Sequence, residues 1–194
     1  MCANGDTMVK QEVPSAHLTY DDYVEFPDDG KRHEIIEGDH YMTPAPRTKH
    51  QSISGNLSTA MITHTKHHKL GLVFTAPCDV ILSDENVVQP DLLFVCTARA
   101  DIVTDLNIRG VPDLLVEILS ESSRKKDEVI KRKLYERFAV HEYWIVDPEL
   151  ETVKIFKLTQ AKYGRAVELS KENNDVLTSE ILPGFKLPVS EIFE

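Results

Sequence analysis

Two carboxylates lie where the sequence otherwise predicts a buried core. Glu117 interrupts the apolar run Leu114–Leu119, and Asp91 follows Pro90 and directly precedes the apolar run Leu92–Val95. A strand that is apolar on both faces normally lies at the centre of a sheet, so the Glu117 carboxylate is expected to be removed from water. Because burying an unpaired carboxylate is costly, Glu117 should have a cationic partner, a bound proton or a metal ion.

The two carboxylates together predict a metal site. If Asp91 and Glu117 lie on neighbouring strands, their like charges repel, and a hard divalent cation relieves that repulsion. Ligands that are all oxygen atoms favour Mg²⁺ or Mn²⁺ over Zn²⁺. Two alternatives stay open, because Glu117 could have an Arg or Lys partner and Asp91 could cap a turn.

A helix predicted from Ser122 or Ser123 to about Phe138 supplies the cations. Its buried stripe is predicted from residues four apart, namely Ile130, Leu134 and Phe138. A second set with the same spacing lies one position round, at the border of the core: Asp127, Lys131 and Tyr135. From there Lys131 could reach back to the sheet edge. In the alternative interpretation, Asp127 and Lys131 pair with each other along the helix.

The same helix has a more exposed side that is rich in basic residues. This predicted basic patch, usable for phosphates, comprises Arg124, Lys125, Lys126, Lys133 and Arg137. A solvated charged helix face is the alternative. Among further candidates, His50 at the start of a predicted helix could contact the site or a phosphate, or could be structural. Tyr135 is interpreted as an aromatic residue at the edge of the core.

The elements that must position these residues form a mixed α/β (α+β) pattern. Helices are predicted for Thr19–Glu25, Thr48–Lys69 and the segment ending at Phe138. Two short strands are predicted within His33–Met42, and others at Leu72–Ala76, Asp79–Leu82, Asp91–Cys96, Leu114–Leu119, Tyr143–Val146 and Val153–Leu158. Such an order predicts one sheet covered by helices.

Length and composition limit the class of protein. A chain of 194 residues with 41% apolar residues is sufficient for one core, so we expect a flexible tail over residues 1–16 and a single domain over 17–194. The net charge of −10 argues against strong non-specific binding to nucleic acid. Three cysteines without a CxxC spacing make a disulfide framework or thiolate zinc site improbable. With no membrane-length apolar run and no signal-like segment, a cytoplasmic protein is expected.

The candidate residues resemble a known signature. Pro90-Asp91 followed by Glu117-Ile118-Leu119-Ser120 resembles the PD-(D/E)XK motif of the restriction-endonuclease-like superfamily. From about Leu18 to the C-terminus, the chain is more closely similar to the uncharacterised restriction-endonuclease-like domain family abundant in cyanobacteria. The matching segments are His33–Gly38, Pro44–Pro46, His50-Gln51, Val88–Leu92, Pro112–Ser120, Asp127, Lys131, Tyr135 and Glu142–Pro148.

This resemblance implies a mixed central sheet flanked by helices and metal-dependent cleavage of a phosphodiester. Asp91 and Glu117 would hold Mg²⁺ or Mn²⁺, with the backbone carbonyl of Ile118, and Glu34 would be a further acidic residue. Leu119 occupies the position of the motif lysine, so Lys131 would have to serve from the helix. Its ammonium would orient the attacking water or stabilise phosphate charge. Candidates for substrate contact or support are His50, Asp127, Tyr135 and Lys133.

Three functional hypotheses follow. The first is an Mg²⁺- or Mn²⁺-dependent endonuclease that hydrolyses DNA and, by analogy with nucleases of this fold, forms a homodimer. In the second, the nuclease fold is catalytically inactive and serves as a binding or regulatory module, which the acidic charge and Leu119 favour. The third is a hydrolase of small phosphorylated molecules, which ranks last because no glycine-rich phosphate loop occurs.

Overall fold

The computed structural model describes residues 17–194, so the tail predicted for residues 1–16 lies outside the described residues. The helices are α1 (Tyr20–Tyr23), α2 (Thr48–His68), α3 (Arg132–Arg137) and α4 (Val189–Ile192). A 3-10 segment spans Thr97–Ile102, and a π-helical segment, Lys126–Lys131, runs directly into α3. The first seven strands are β1 (Arg32–Ile36), β2 (Asp39–Thr43), β3 (Gly71–Thr75), β4 (Val80–Ser83), β5 (Asn86–Val88), β6 (Leu92–Cys96) and β7 (Ile108–Arg109). The others are β8 (Leu114–Ile118), β9 (Glu142–Asp147), β10 (Thr152–Thr159), β11 (Lys162–Tyr163), β12 (Val167–Ser170), β13 (Val176–Thr178) and β14 (Lys186–Pro188).

A seven-stranded mixed sheet forms the centre of the molecule. Its strand order is β11-β10-β9-β8-β6-β3, with β12 also paired to β10. Strands β8 and β9 are parallel, and the other pairs of this sheet are antiparallel. All five residues of β8 are buried, which agrees with a central strand. The predicted mixed sheet is therefore confirmed, and β8 with Glu117 lies in its interior.

A second, five-stranded sheet brings the N-terminal hairpin over the central sheet. Its order is β2-β1-β5-β4-β7. The hairpin β1–β2 turns at Glu37 and Gly38, which both have positive φ (55° and 78°), as a tight two-residue connection requires. Residues of this sheet such as Ile36 and Val88 share a core with Leu93 and Leu115 of the central sheet. Strand β1 thereby reaches the site described below.

The two faces of the central sheet have separate cores. On one face, Leu57 and Met61 of α2 pack in the same cluster as Phe94, Val116 and the C-terminal segment. On the other face, Leu134 and Tyr135 of α3 pack with Leu93, Leu115 and Tyr143. The α+β class with helices flanking the sheet is thus confirmed. Within residues 17–194, no helix combines the length and apolar character needed to cross a membrane.

Candidate active site

Asp91 and Glu117 lie opposite each other on neighbouring antiparallel strands. Leu92 of β6 pairs with Val116 of β8, and continuing that register by one residue places Asp91 opposite Glu117. Because side chains alternate between faces, both carboxylates are on the face covered by α3. Each residue is only 3% exposed. The predicted pair of buried carboxylates on adjacent strands is therefore present.

Asp91 is held by three hydrogen-bond donors. Arg32 Nη1 pairs with Oδ1, while His50 Nε2 lies 3.1 Å from Oδ2. The backbone amide of Ile118 donates to Oδ2 at 2.8 Å. Burial alone would raise the pKa of Asp91, but the contacts with His50 and Arg32 lower it to about 2. Asp91 is therefore an anion at all ordinary pH values.

Glu117 has the cationic partner that its burial demands. Lys131 Nζ donates to Oε1 at 2.7 Å, and the Tyr135 hydroxyl donates to the same oxygen at 2.9 Å. Burial, together with the negative charges of Asp127, Asp91 and Glu34, raises the pKa of Glu117 to about 8, against the attraction of Lys131. In the metal-free protein Glu117 therefore retains a proton up to mildly alkaline pH.

Glu34 enters the site from β1 and joins two lysines. Its Oε1 lies 2.6 Å from Lys131 Nζ, and its Oε2 lies 2.6 Å from Lys126 Nζ. The backbone amide of Gln89 also donates to Oε1 at 2.9 Å. Burial opposes ionisation of Glu34, but the charges of Lys131 and Lys126 hold its pKa below the ordinary value. This residue therefore carries its full negative charge inside the site.

The π-helical segment Lys126–Lys131 explains why two lysines of one helix meet Glu34. Hydrogen bonds of the i→i+5 type widen the turn, so residues five apart lie close to one face. In an α-helix, Lys126 and Lys131 would lie about 140° apart around the axis. The prediction that Lys126 belongs to an exposed basic patch is wrong for this reason.

The face formed by Asp127, Lys131 and Tyr135 is buried rather than at the border of the core. Their exposed fractions are 1%, 2% and 0%. Asp127 lies 3.9 Å from Lys131, and its Oδ1 has no hydrogen-bond partner among the described residues. Burial raises the pKa of Asp127 to about 6, although Lys131 opposes this. The apolar stripe was misplaced, since Ile130 and Phe138 are only partly buried.

The remaining members of the predicted basic patch do not line the cleft above Glu117. Arg124 donates to Asp147 at the end of β9, and Arg137 pairs with Glu37 in the β1–β2 turn. Lys133 is exposed and does not line the cleft above Glu117. The structure therefore places Lys133 outside the cleft.

A cleft of about 570 Å³ opens above these carboxylates. Its floor includes Glu34, Asp91, Glu117, Asp127 and Lys131. Its walls come from the segment Thr43–Arg47 before α2 and from Leu119–Ser123 after β8, together with Arg32, Lys49, His50, Gln89, Lys126 and Pro148-Glu149. Of the sequence candidates, Tyr135 lies beneath Glu117 and Lys133 lies outside, whereas the others face the cleft.

Arg32 was missed as a candidate, and Lys126 was assigned to an exposed basic patch rather than to this cleft. Arg32 lies two residues before Glu34 on β1, and that spacing alone predicts that both point to the same face of the strand. Its partner, Asp91, is 59 residues away along the chain, so this pairing could not be derived from the spacing. The position of Lys126 in the cleft depends on the π turn, for which the sequence offers no recognised signal.

The donors fit a hard divalent cation bound partly through water. Within residues 17–194, no three His, Cys, Asp or Glu side chains are grouped as ligands of one metal ion. Mg²⁺, however, usually keeps several waters and takes one or two carboxylates. Both hydrogen bonds that Glu117 accepts from described side chains end on Oε1, which leaves Oε2 for a cation. Asp127 Oδ1 is a second oxygen in need of a partner.

Comparison with known proteins identifies the class and then the family. The fold matches the crystal structure of a "putative nuclease" of the DUF820 family from Anabaena variabilis ATCC 29413, with a TM-score of 0.76 and 18% sequence identity over 91% of this chain and 97% of that one. The family model Uma2, described as "Putative restriction endonuclease", matches residues 20–190. The chain therefore belongs to the Uma2 family and has a restriction-endonuclease-like fold. No curated protein matches it. Restriction-endonuclease-like proteins generally use divalent metal ions.

Proposed function

We propose that this protein is an endonuclease that hydrolyses phosphodiester bonds of DNA with Mg²⁺ or Mn²⁺. One observation carries the proposal: Lys131 Nζ lies 2.7 Å from Glu117 Oε1, beside Asp91, in a cleft open to a substrate. The arrangement supports a PD-(D/E)XK-type site whose lysine comes from a helix. The family and the fold support a nuclease of this class.

Asp91 and Glu117 would hold the metal ion, with the backbone carbonyl of Ile118 as a further ligand. Asp91 is an anion at neutral pH, and Glu117 becomes one when a cation replaces its proton. When bound, a divalent cation supplies a Lewis acid that lowers the pKa of a water molecule and neutralises phosphate charge. This chemistry suits the oxygen donors of the site.

The remaining residues hold and orient these groups. Glu34, Glu117 and Asp127 keep Lys131 charged, since their attraction outweighs burial and raises its pKa well above the ordinary value. A fixed ammonium orients the attacking water or stabilises the phosphate charge that develops in the transition state. The Tyr135 hydroxyl fixes the Glu117 carboxylate, and His50 fixes Asp91. The side chains of Lys131, Glu117 and Asp91 are therefore oriented before substrate binds.

Nicking of supercoiled plasmid tests the proposal. The purified protein should convert supercoiled plasmid to the nicked circular form in the presence of Mg²⁺ or Mn²⁺. It should lose this activity when EDTA is added. Glu117→Gln should reduce the rate at least about a hundredfold, because it removes the negative charge of a proposed metal ligand. Glu142→Gln is the matched control, since Glu142 is also a buried strand carboxylate but binds Trp144 and Ser179 outside the cleft. Equal activity of Glu117→Gln and the wild type contradicts the assignment.

A catalytically inactive nuclease-fold module is the second candidate. It is favoured by the pairing of Asp91, Glu34 and Glu117 with cations of the chain, which leaves no preformed three-residue ligand group among residues 17–194. Calorimetric titration with Mn²⁺ distinguishes the two. An absence of binding at millimolar Mn²⁺, together with an absence of nicking, supports the module. The homodimer stays a prediction, which sedimentation velocity would test.

A further inference from the structure

Lys126 is a second lysine of the cleft, and no motif assigns it a role. Its Nζ lies 2.6 Å from Glu34 Oε2 and 2.8 Å from Thr43 Oγ1. An ammonium has three N–H donors, so one remains after these two bonds. The side chain is 11% exposed and lines the cleft. Lys126 therefore has both an unused donor and access to a ligand.

Lys131 differs from Lys126 in both respects. Its side chain is 2% exposed, with Glu34, Glu117 and Asp127 at 2.6, 2.7 and 3.9 Å from Nζ. The ionised Glu34 already neutralises this buried ammonium, so little positive charge is left to attract a phosphate. Lys131 can therefore act on the reacting groups next to Glu117, but it is poorly placed to bind the phosphate of the substrate before the reaction begins.

Among the other Arg and Lys residues of the cleft, Arg32 and Lys49 are engaged elsewhere, and Arg47 is exposed at its rim. Arg32 pairs with Asp91, so its loss would disturb a proposed metal ligand. Lys49 is exposed and donates to the Pro148 carbonyl at 2.6 Å. Glu34 keeps Lys131 as a partner if Lys126 turns toward a ligand. Lys126 can thus change partner without exposing an uncompensated buried carboxylate.

We infer that Lys126 binds a non-bridging oxygen of the substrate phosphate. This inference rests on the proposed function, since it concerns the substrate of the same cleft. The π turn serves this arrangement by placing Lys126 and Lys131 on one side of the helix, the first toward the phosphate and the second toward Glu117. A charge-assisted bond of this kind strengthens binding and makes it depend on salt.

Fluorescence anisotropy with a labelled DNA oligonucleotide measures the effect. Binding is followed in Glu117→Gln protein, which should not cleave, at several salt concentrations. Lys126→Gln should weaken binding about tenfold and reduce the slope of log K against log salt by about 1. Lys126→Arg should restore the salt slope. Lys133→Gln is the matched control, an exposed lysine of the same helix outside the cleft, and should change neither quantity.

The outcomes separate this inference from the proposed function. If the wild type cleaves DNA but Lys126→Gln binds with the affinity and salt slope of Lys133→Gln, the inference is wrong. If Lys126→Arg is as impaired as Lys126→Gln, the positive charge at this position does not carry the effect, which also overturns the inference. If the wild type neither binds nor cleaves DNA, the proposed function is wrong, and the inference about Lys126 is wrong with it. Thermal unfolding checks folding, and Lys126→Met repeats the test should Lys126→Gln not fold.

Discussion

Lys131 Nζ lies 2.7 Å from Glu117 Oε1, although 14 residues separate the two along the chain. In the superfamily pattern the lysine is two residues after the second acid, where this chain has Leu119. Leu119 points to the same face as Glu117 and is 3% exposed in the apolar core. The helix thus supplies the ammonium that the strand lacks.

Removal of the Lys131 ammonium should abolish activity and weaken the fold. Lys131→Met leaves Glu117 and Glu34 without their shared buried partner, which costs about 3–5 kcal/mol of unfolding free energy. The nicking rate should fall at least about a hundredfold, because one preorganised charge is lost. Urea unfolding and plasmid nicking measure the two effects. Full activity in folded Lys131→Met protein contradicts the role of Lys131.

A lysine at position 119 should compensate in part. The double variant Lys131→Met, Leu119→Lys returns an ammonium to the strand face that carries Glu117. We expect its nicking rate to exceed that of Lys131→Met at least about tenfold, since position 119 borders the cleft. Leu119→Met with Lys131→Met is the control, because it changes the same position without adding an ammonium. Equal rates for both double variants argue against the strand position as an equivalent of Lys131.

Metal binding should release a proton from Glu117. Its pKa is raised to about 8, so at lower pH a cation must displace the proton to gain this ligand. The affinity for Mg²⁺ should therefore increase about tenfold per pH unit up to pH 8 and then level off. Calorimetry in two buffers of different ionisation enthalpy counts the protons released. Glu117→Gln should release fewer protons, and a pH-independent affinity of the wild type would falsify the linkage.

The Tyr135 hydroxyl should affect activity more than its contribution to stability suggests. Tyr135→Phe removes one hydrogen bond to Glu117, which costs about 1–2 kcal/mol of unfolding free energy. Because Glu117 is then oriented by Lys131 alone, we expect the nicking rate to fall about tenfold. Tyr143→Phe is the matched control, since this buried hydroxyl donates to the Asp127 carbonyl at 3.1 Å instead. Similar losses of both stability and activity in the two variants would show that Tyr135 acts through stability alone.

Much of the fold could be predicted because its main signals are local. The apolar runs around Glu117 and after Asp91 predicted buried strands, and four-residue spacing predicted the long helix α2. The short strand β5 and the separate five-stranded sheet were not predicted. Strands of two or three residues carry too few positions for a reliable periodicity.

The helix after β8 shows where local periodicity fails. A 3.6-residue period assigned Ile130 and Phe138 to the buried stripe and Lys126 to solvent. The π turn changes the period at Lys126–Lys131, so the face that is actually buried carries Asp127, Lys131 and Tyr135. Burial of the Lys131 charge is stabilised by Glu34 of β1 and Glu117 of β8, and a helix pattern does not describe contacts with other strands.

By itself, the sequence determined that Asp91 and Glu117 are carboxylates next to or within apolar runs and that position 119 holds a leucine instead of the motif lysine. These conclusions depend on neighbours within a few residues. The tertiary structure alone decided that Arg32 holds Asp91 and that Lys126 reaches Glu34 across 92 residues of chain. The physical reason is that an ion pair depends on distance in space, and strand register together with the helical turn sets that distance.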